Sequence, residues 1–149
     1  DAAYNQLKSN SADPAYLGAL AEFKKESQQN FSLAAHFITE AKNSFTSKDY
    51  TKAVTFLEKS LNYKETPEAN EMIGMIELNN GNRKRALSYF EKAYSLSLEI
   101  KQGLLYRLSK TYLANQDYKK ARNTFEQLKK NYPGFSDPDN LESKIIISN

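Results

Sequence analysis

The chain has 149 residues, of which 40% are hydrophobic and 26% charged, with a mean hydropathy of -0.73, values typical of a globular domain that exclude collagen-like and disordered chains. It has no cysteine and one histidine, which excludes disulfides, thiolate nucleophiles and metal sites built from cysteines or histidine pairs. The net charge of +3 does not by itself indicate a nucleic-acid partner, and the longest aliphatic run, residues 145–147, is too short to span a membrane.

Proline and glycine are scarce, and their positions predict where helices begin and end. At three places a good helix-capping residue precedes proline, which tolerates the first helical position: Asp13–Pro14, Thr66–Pro67 and Asp137–Pro138. Pro133 followed by Gly134 predicts a helix end, because proline displaces the residue before it from helical geometry. Between these positions apolar residues recur three and four apart, without an alternating strand pattern. The sequence therefore predicts an all-α protein.

A repeat of about 34 residues runs through the chain. Ala19, Ala53, Ala86 and Ala121 are separated by 34, 33 and 35 residues, and each is followed four residues later by a large apolar side chain. A turn signal precedes each of the last three alanines, at residues 48–49, 80–81 and 116–117. Each unit is therefore predicted to be two short helices joined by a tight turn.

These units resemble the tetratricopeptide repeat (TPR) family. The unit over 102–135 matches the family signature at Leu105, Leu108, Ser109, Tyr112, Tyr118, Ala121, Phe125 and Pro133. The unit over 67–101 matches at Ile73, Gly74, Gly81, Ala86, Phe90 and Ala93, and the unit over 34–66 matches at Phe37, Ala41, Tyr50, Ala53 and Leu57. Departures from the signature are Glu40, Ser44, Ser60, Glu77, Arg83 and Leu128. The resemblance implies a right-handed α-solenoid whose first helices line a concave surface.

Residues 1–149 are predicted to form one domain. Residues 1–33 keep only Tyr16, Ala19 and Phe23 of the signature, and we interpret them as a degenerate N-terminal repeat, with a helical cap that mimics half a repeat as the alternative. Residues 34–66, 67–101 and 102–135 are the three clear repeats. Residues 136–149 are predicted to contain a short C-terminal capping helix that starts at Pro138 and covers the last hairpin.

First-helix side chains that packing does not require are predicted to point into the concave groove and bind a partner. In the register of the repeats they are Ile38, Lys42, Phe45, Glu71, Met75, Asn79, Tyr106, Lys110 and Leu113. For Phe45, Leu113 and Met75 a core position is the alternative. Ile38, Met75 and Tyr106 are expected to form an apolar stripe with charged residues beside it, which suits a peptide or helix of another protein. The clamp with which some TPR proteins bind a C-terminal carboxylate is absent from the matching positions.

No catalytic or cofactor-binding motif is found in the sequence. His36 lies four residues before Glu40, but no second histidine or clustered carboxylate completes a site, so a partly exposed helical histidine is the preferred interpretation. Glycine motifs that bind phosphates or expose a nucleophilic serine are also missing. The sequence therefore predicts a protein that is not an enzyme and uses no cofactor or metal.

Four basic groups offer an alternative function, an RNA-binding or regulatory repeat protein. They are Lys24–Lys25, Arg83–Lys84–Arg85, Lys119–Lys120 and Lys129–Lys130. Interleaved acids such as Glu91 and Glu126 dilute this charge, so a solvated outer face is preferred and a nucleic-acid partner is not favoured. The sequence leaves a homo-oligomer open.

Residues 116–137, in which a tyrosine and a proline end the repeat, also resemble the repeats of bacterial cell-envelope scaffolds. The chain begins at Asp1 without methionine, as a mature or trimmed product would. The resemblance implies a role in a bacterial envelope or periplasmic assembly, with a cytoplasmic location as the alternative.

Overall fold

The computed structural model of the chain describes residues 13–147, together with Ala2 and Asn5. Seven helices follow one another in this part of the chain, which contains no strand. They are α1 (Pro14–Thr46), α2 (Tyr50–Tyr63), α3 (Pro67–Asn79), α4 (Arg83–Leu96), α5 (Gln102–Ala114), α6 (Tyr118–Asn131) and α7 (Leu141–Ile147). α1 pairs with α2, α3 with α4 and α5 with α6, and each hairpin packs on the next through α2–α3 and α4–α5 contacts. The predicted all-α solenoid of helical hairpins is confirmed.

The first helix of every hairpin ends in the same hydrogen-bonded turn. Lys48, Gly81 and Gln116 each adopt a left-handed backbone conformation, with φ of 62°, 83° and 62°. The N–H of the following residue then bonds a carbonyl oxygen five residues back, at 2.9 Å for Asp49 to Ser44, 2.8 Å for Asn82 to Glu77 and 3.0 Å for Asp117 to Tyr112. This is the Schellman motif, which satisfies carbonyls that the helix end leaves free. Only Gly81 adopts it without the steric cost of a Cβ atom.

Three helices were predicted to start at a proline, and two of these predictions are correct while the third is wrong. The Asp13 carboxylate accepts a hydrogen bond from Ala15 N at 2.9 Å before α1, and Thr66 Oγ1 accepts one from Ala69 N at 3.3 Å before α3. The capping helix begins at Leu141 instead of Pro138. The Asp137 carboxylate still caps it, because it accepts hydrogen bonds from the N–H groups of Leu141 and Glu142 at 2.7 and 3.0 Å.

The repeat alanines of the three clear repeats lie in the core of their hairpins. Ala53, Ala86 and Ala121 are completely buried, as are the small first-helix residues Ala41 and Ser109. The equivalent residue of the middle hairpin is Gly74, which faces the buried ring of Phe90. These signature positions are therefore packing positions.

The N-terminal unit differs from the expectation. α1 is one helix of 33 residues, so the predicted boundary between residues 33 and 34 lies inside it. No glycine or proline occurs between residues 19 and 46 to interrupt it. Ala19 is exposed and Tyr16 and Phe23 remain 42% and 41% exposed, so these three residues do not repeat the packing seen around Ala53. The first helix expected for a degenerate repeat falls in residues 1–12, outside the described residues except for Ala2 and Asn5.

Candidate protein-binding groove

A cavity of about 610 Å³ opens on the inner face between α3, α5 and residues 136–139. Its floor is apolar, because it consists of the half-buried side chains of Met75 and Leu78 and the buried ring of Phe90. The exposed side chains of Asn79, Gln102 and Lys110 surround it. We call this space the α3–α5 cavity; it combines apolar surface with amide and ammonium groups, as protein-binding sites commonly do.

Ion pairs join each layer of the inner face to the next. The Lys42 ammonium of α1 lies 2.6 Å from the Glu68 carboxylate of α3. Arg107 of α5 donates a hydrogen bond to the Glu71 carboxylate of α3, also at 2.6 Å. On the far side of α5, the Lys110 ammonium lies 3.0 Å from the carboxylate of Asp139. The charges predicted beside the apolar stripe, Lys42, Glu71 and Lys110, are therefore each paired with a side chain of a neighbouring element.

The Tyr106 hydroxyl binds the segment that leads into α7. It donates a hydrogen bond to the Asp137 carboxylate at 2.7 Å and accepts one from Asp139 N at 3.1 Å. Burial, together with the bond to Asp137, raises the pKa of Tyr106 to about 12. The Phe135 ring packs between Tyr106 and Phe125, with ring centroids 6.4 and 5.5 Å away. Tyr106 thus forms one wall of the α3–α5 cavity and also holds in place residues 136–139, which form the adjacent wall.

The structure brings four of the predicted site residues to one cavity. Met75, Asn79, Tyr106 and Lys110 all line the α3–α5 cavity. Ile38 is buried and lines, with Lys42, a separate cavity of about 350 Å³ between α1 and α3. The predicted apolar stripe from Ile38 to Tyr106 is therefore divided between two cavities, one between α1 and α3 and the other between α3 and α5.

The other predicted site residues have different surroundings. Phe45 packs in the core of the first hairpin, with its ring 5.3 Å from that of Tyr50, and Leu113 packs against the core of the last hairpin. Glu71 is held by Arg107. For Phe45 and Leu113 the structure therefore agrees with the alternative, a core position.

Sequence reasoning missed three residues that shape this site. Gln102 and Arg107 line the α3–α5 cavity from α5, and Asp139 lines it from the loop. Because the sequence predicts that the capping helix starts at Pro138, it places Asp139 inside that helix and not in a loop at the groove. The repeat register does not assign Arg107 to the groove, although its long side chain reaches Glu71 of α3.

Two of the four basic groups lie at the starts of second helices, and the other two lie elsewhere in the fold. Lys24 and Lys25 are on α1, residues 83–85 begin α4, residues 119–120 begin α6 and residues 129–130 end it. Lys129 lies 2.8 Å from the Glu142 carboxylate of α7 and 3.7 Å from that of Glu126. The hydrogen bond to Glu142 and the charge of Glu126 raise the pKa of Lys129. This lysine therefore attaches α7 to α6 and contributes little to an outer basic surface.

His36 is exposed on α1, where its ring meets Phe37 edge-on with centroids 5.3 Å apart. Among the residues that the structure describes, no three metal-binding side chains converge on one point. Within the same residues, every helix is too short or too polar to cross a bilayer.

Comparison with curated proteins gives no match to the chain. Comparison with protein families finds a match in the C-terminal part of the chain. The matched part runs from the last turn of α3 through α4, α5 and α6 into α7. TPR units generally mediate contacts between proteins. Residues 77–145 match the tetratricopeptide repeat family.

Proposed function

We propose that the protein is a non-catalytic scaffold that binds a peptide or helix of a partner protein on its concave face, within a bacterial envelope assembly. The observation that carries this proposal is the α3–α5 cavity, whose apolar floor is open on the inner face of a TPR-like solenoid. Its volume of about 610 Å³ is in the range of sites that take several side chains of a ligand.

The chemistry of the cavity suits an amphipathic segment. Met75 and Leu78 offer a floor that adapts its shape, and burying one large apolar side chain there is worth about 1.5 to 3 kcal/mol. The exposed amides of Asn79 and Gln102 can each donate and accept hydrogen bonds, which an extended peptide backbone requires. An apolar anchor with polar groups around it gives both affinity and orientation.

Neighbouring asparagines provide a matched test of this site. Asn79 lines the α3–α5 cavity, whereas Asn80 is equally exposed but does not line it. Peptides are selected from a random display library against the native chain, and their Kd values are measured by calorimetry. We expect Asn79→Arg to weaken binding at least tenfold, because its side chain fills the cavity, and Asn80→Arg to leave it unchanged. Equal effects of the two substitutions would place the binding site elsewhere.

The envelope part of the proposal rests on the resemblance of residues 116–137 to envelope scaffold repeats. Fractionation of the producing cells tests it: recovery with the periplasmic or membrane fraction supports the assignment, and recovery with the cytoplasm contradicts it. RNA binding is the alternative function, but Lys129 is engaged with α7 and Lys120 lies over the ring of Tyr112. An RNA complex would weaken steeply as salt is raised, whereas a peptide bound to an apolar floor would not.

A further inference from the structure

The three hairpin turns form one edge of the solenoid, which we call the turn edge: residues 47–52, 80–85 and 115–120. They share an edge because the first helix of every hairpin runs towards it and the second runs away. The second and third turns are in direct contact, since the Asn115 side-chain amide donates a hydrogen bond to the Arg83 carbonyl at 3.1 Å.

The turn edge is far more basic than the rest of the chain. Its basic residues are Lys48, Lys52, Arg83, Lys84, Arg85, Lys119 and Lys120, and its acidic ones are Asp49 and Asp117. Its net charge is therefore +5, while that of the whole chain is +3, so all other residues together carry -2. Asp49 and Asp117 also serve as helix caps, accepting hydrogen bonds from Lys52 N at 3.1 Å and Lys120 N at 3.2 Å.

Most of this positive charge is available to a ligand. The inner-face cations Lys42, Arg107 and Lys110 are all in ion pairs of 3.0 Å or shorter. On the turn edge, Arg85 and Lys120 have only long contacts to carboxylates, at 3.6 and 4.0 Å. The other basic side chains of the turn edge, those of Lys48, Lys52, Arg83, Lys84 and Lys119, are exposed and have no carboxylate within ion-pair distance among the described residues.

We propose that the turn edge binds the surface of an anionic phospholipid bilayer. Each lysine or arginine near such a surface contributes about 1 kcal/mol, so several turns acting together give stable but reversible attachment. The charged side chains extend from three successive turns along one edge, an arrangement that suits an extended anionic plane. The edge contains no large aliphatic side chain to insert, so the attachment is electrostatic and screened by salt.

The aromatic residues of the turn edge favour a bilayer over nucleic acid. Proteins that bind single-stranded nucleic acid stack bases on exposed rings. Here the Tyr50 ring is half-buried against Phe45, and Tyr118 is 38% exposed. Tyr118 is therefore the one exposed ring of these three turns, which is too few to stack successive bases, whereas all three turns carry charge that attracts phosphate groups.

A charge-reversal pair tests the proposal with the fold intact. Arg83→Glu with Lys119→Glu places acids in the first turns of α4 and α6, where the helix dipole favours them, so we expect no loss of stability. Lys25→Glu with Lys92→Glu makes the same change in net charge on exposed helix positions away from the turn edge. Flotation measures binding to vesicles of phosphatidylcholine alone and of phosphatidylcholine mixed with phosphatidylserine.

We expect the native chain to float only with phosphatidylserine vesicles, and less as salt rises from about 50 to about 200 mM. The turn-edge variant should bind at least about tenfold more weakly, and the control variant about as well as the native chain. Equal binding to the two kinds of vesicle, or equal losses in the two variants, overturns the proposal. So does binding of duplex or single-stranded RNA in place of vesicles, which reassigns the edge to nucleic acid. The peptide-binding test concerns the α3–α5 cavity, so either proposal can fail alone.

Discussion

Gly74 lies directly against the ring of Phe90, so closely that a Cβ atom on Gly74 would stand 2.7 Å from Cε1 and 2.8 Å from Cδ1 of that ring. Phe90 is completely buried and forms part of the floor of the α3–α5 cavity. The absence of a side chain at residue 74 therefore allows α3 and α4 to pack closely.

Gly74→Ala is expected to destabilise the protein by about 1 to 3 kcal/mol, because the Phe90 ring must move within a filled core. The free energy of unfolding from chemical denaturation measures this. Gly18→Ala is the matched control: Gly18 is an exposed helical glycine, and a methyl group added to it would meet no atom within 4 Å, so alanine should raise helix stability by up to about 1 kcal/mol. If both substitutions changed the free energy of unfolding in the same direction, the close contact between Gly74 and Phe90 would be contradicted.

Asp137→Ala should release α7 from the last hairpin. It removes the cap on Leu141 and Glu142 and the acceptor of the Tyr106 hydroxyl, which together should cost about 1 to 2 kcal/mol. Hydrogen exchange is the measurement: the amides of residues 141–147 should exchange faster while those of α3 and α4 keep their protection. Faster exchange throughout the chain would mean that α7 supports the whole solenoid.

Alkaline pH should weaken the anchorage of α7 through Tyr106. Since its pKa is about 12 in the folded protein against 10.0 for an ordinary tyrosine, the folded state holds the proton more tightly. This contribution to stability is complete below pH 10 and is lost as pH rises towards 12. Burial and the hydrogen bond to Glu91 also raise the pKa of Tyr112, so spectroscopic titration should show more than one late phenolate, and Tyr106→Phe should remove one of them. Unfolding free energies of native protein and variant should converge over the same pH range.

At acid pH the same anchorage should weaken through Asp137. Burial acts to raise the pKa of this carboxyl, but hydrogen bonds from the N–H groups of Glu142 and Leu141 and from the Tyr106 hydroxyl outweigh it and lower the pKa below its usual value. The stabilisation is present above the ordinary aspartate pKa and is lost as pH falls through the lowered one. Asp137→Asn should therefore remove part of the acid dependence of unfolding, and an unchanged acid profile would count against the role of this carboxylate.

The ion pair between Glu71 and Arg107 should couple the last two hairpins. A double-mutant cycle with Glu71→Gln and Arg107→Gln is expected to give a coupling energy of about 0.5 to 1 kcal/mol, modest because both side chains are partly exposed. The exchanged pair Glu71→Arg with Arg107→Glu should recover most of the loss. A coupling energy within error of zero would show that this ion pair does not help to hold the two hairpins together.

The repeat core was predictable from sequence because it depends on local spacing. Ala53, Ala86 and Ala121 occur at nearly constant intervals, and side-chain size alone indicates a close helix crossing. The continuity of α1 was not predicted, since the alanine interval suggested a unit boundary where no residue ends the helix. The spacing of residues along the sequence predicts packing within a hairpin, but it does not predict whether the chain turns or stays helical between one unit and the next.

The candidate site was only partly predictable for the same reason. Met75, Asn79, Tyr106 and Lys110 follow from the repeat register, and they do meet in one cavity. The partners of Tyr106 and Lys110 lie about 30 residues away in a loop that has no periodic pattern. Sequence reasoning therefore treated both side chains as free for a ligand, whereas they also hold the C-terminal segment.

Along the inner face the sign of the paired charges alternates from one layer to the next: Lys42 on α1, Glu68 and Glu71 on α3, Arg107 and Lys110 on α5, and Asp139 after α6. If α1 packed directly on α5, Lys42 would face Arg107, and two positive charges would repel. If α3 packed on the C-terminal segment, Glu71 would face Asp139, and two carboxylates would repel. Such repulsion penalises misordered assembly. The alternating charges therefore favour the observed order of three hairpins that have similar shapes.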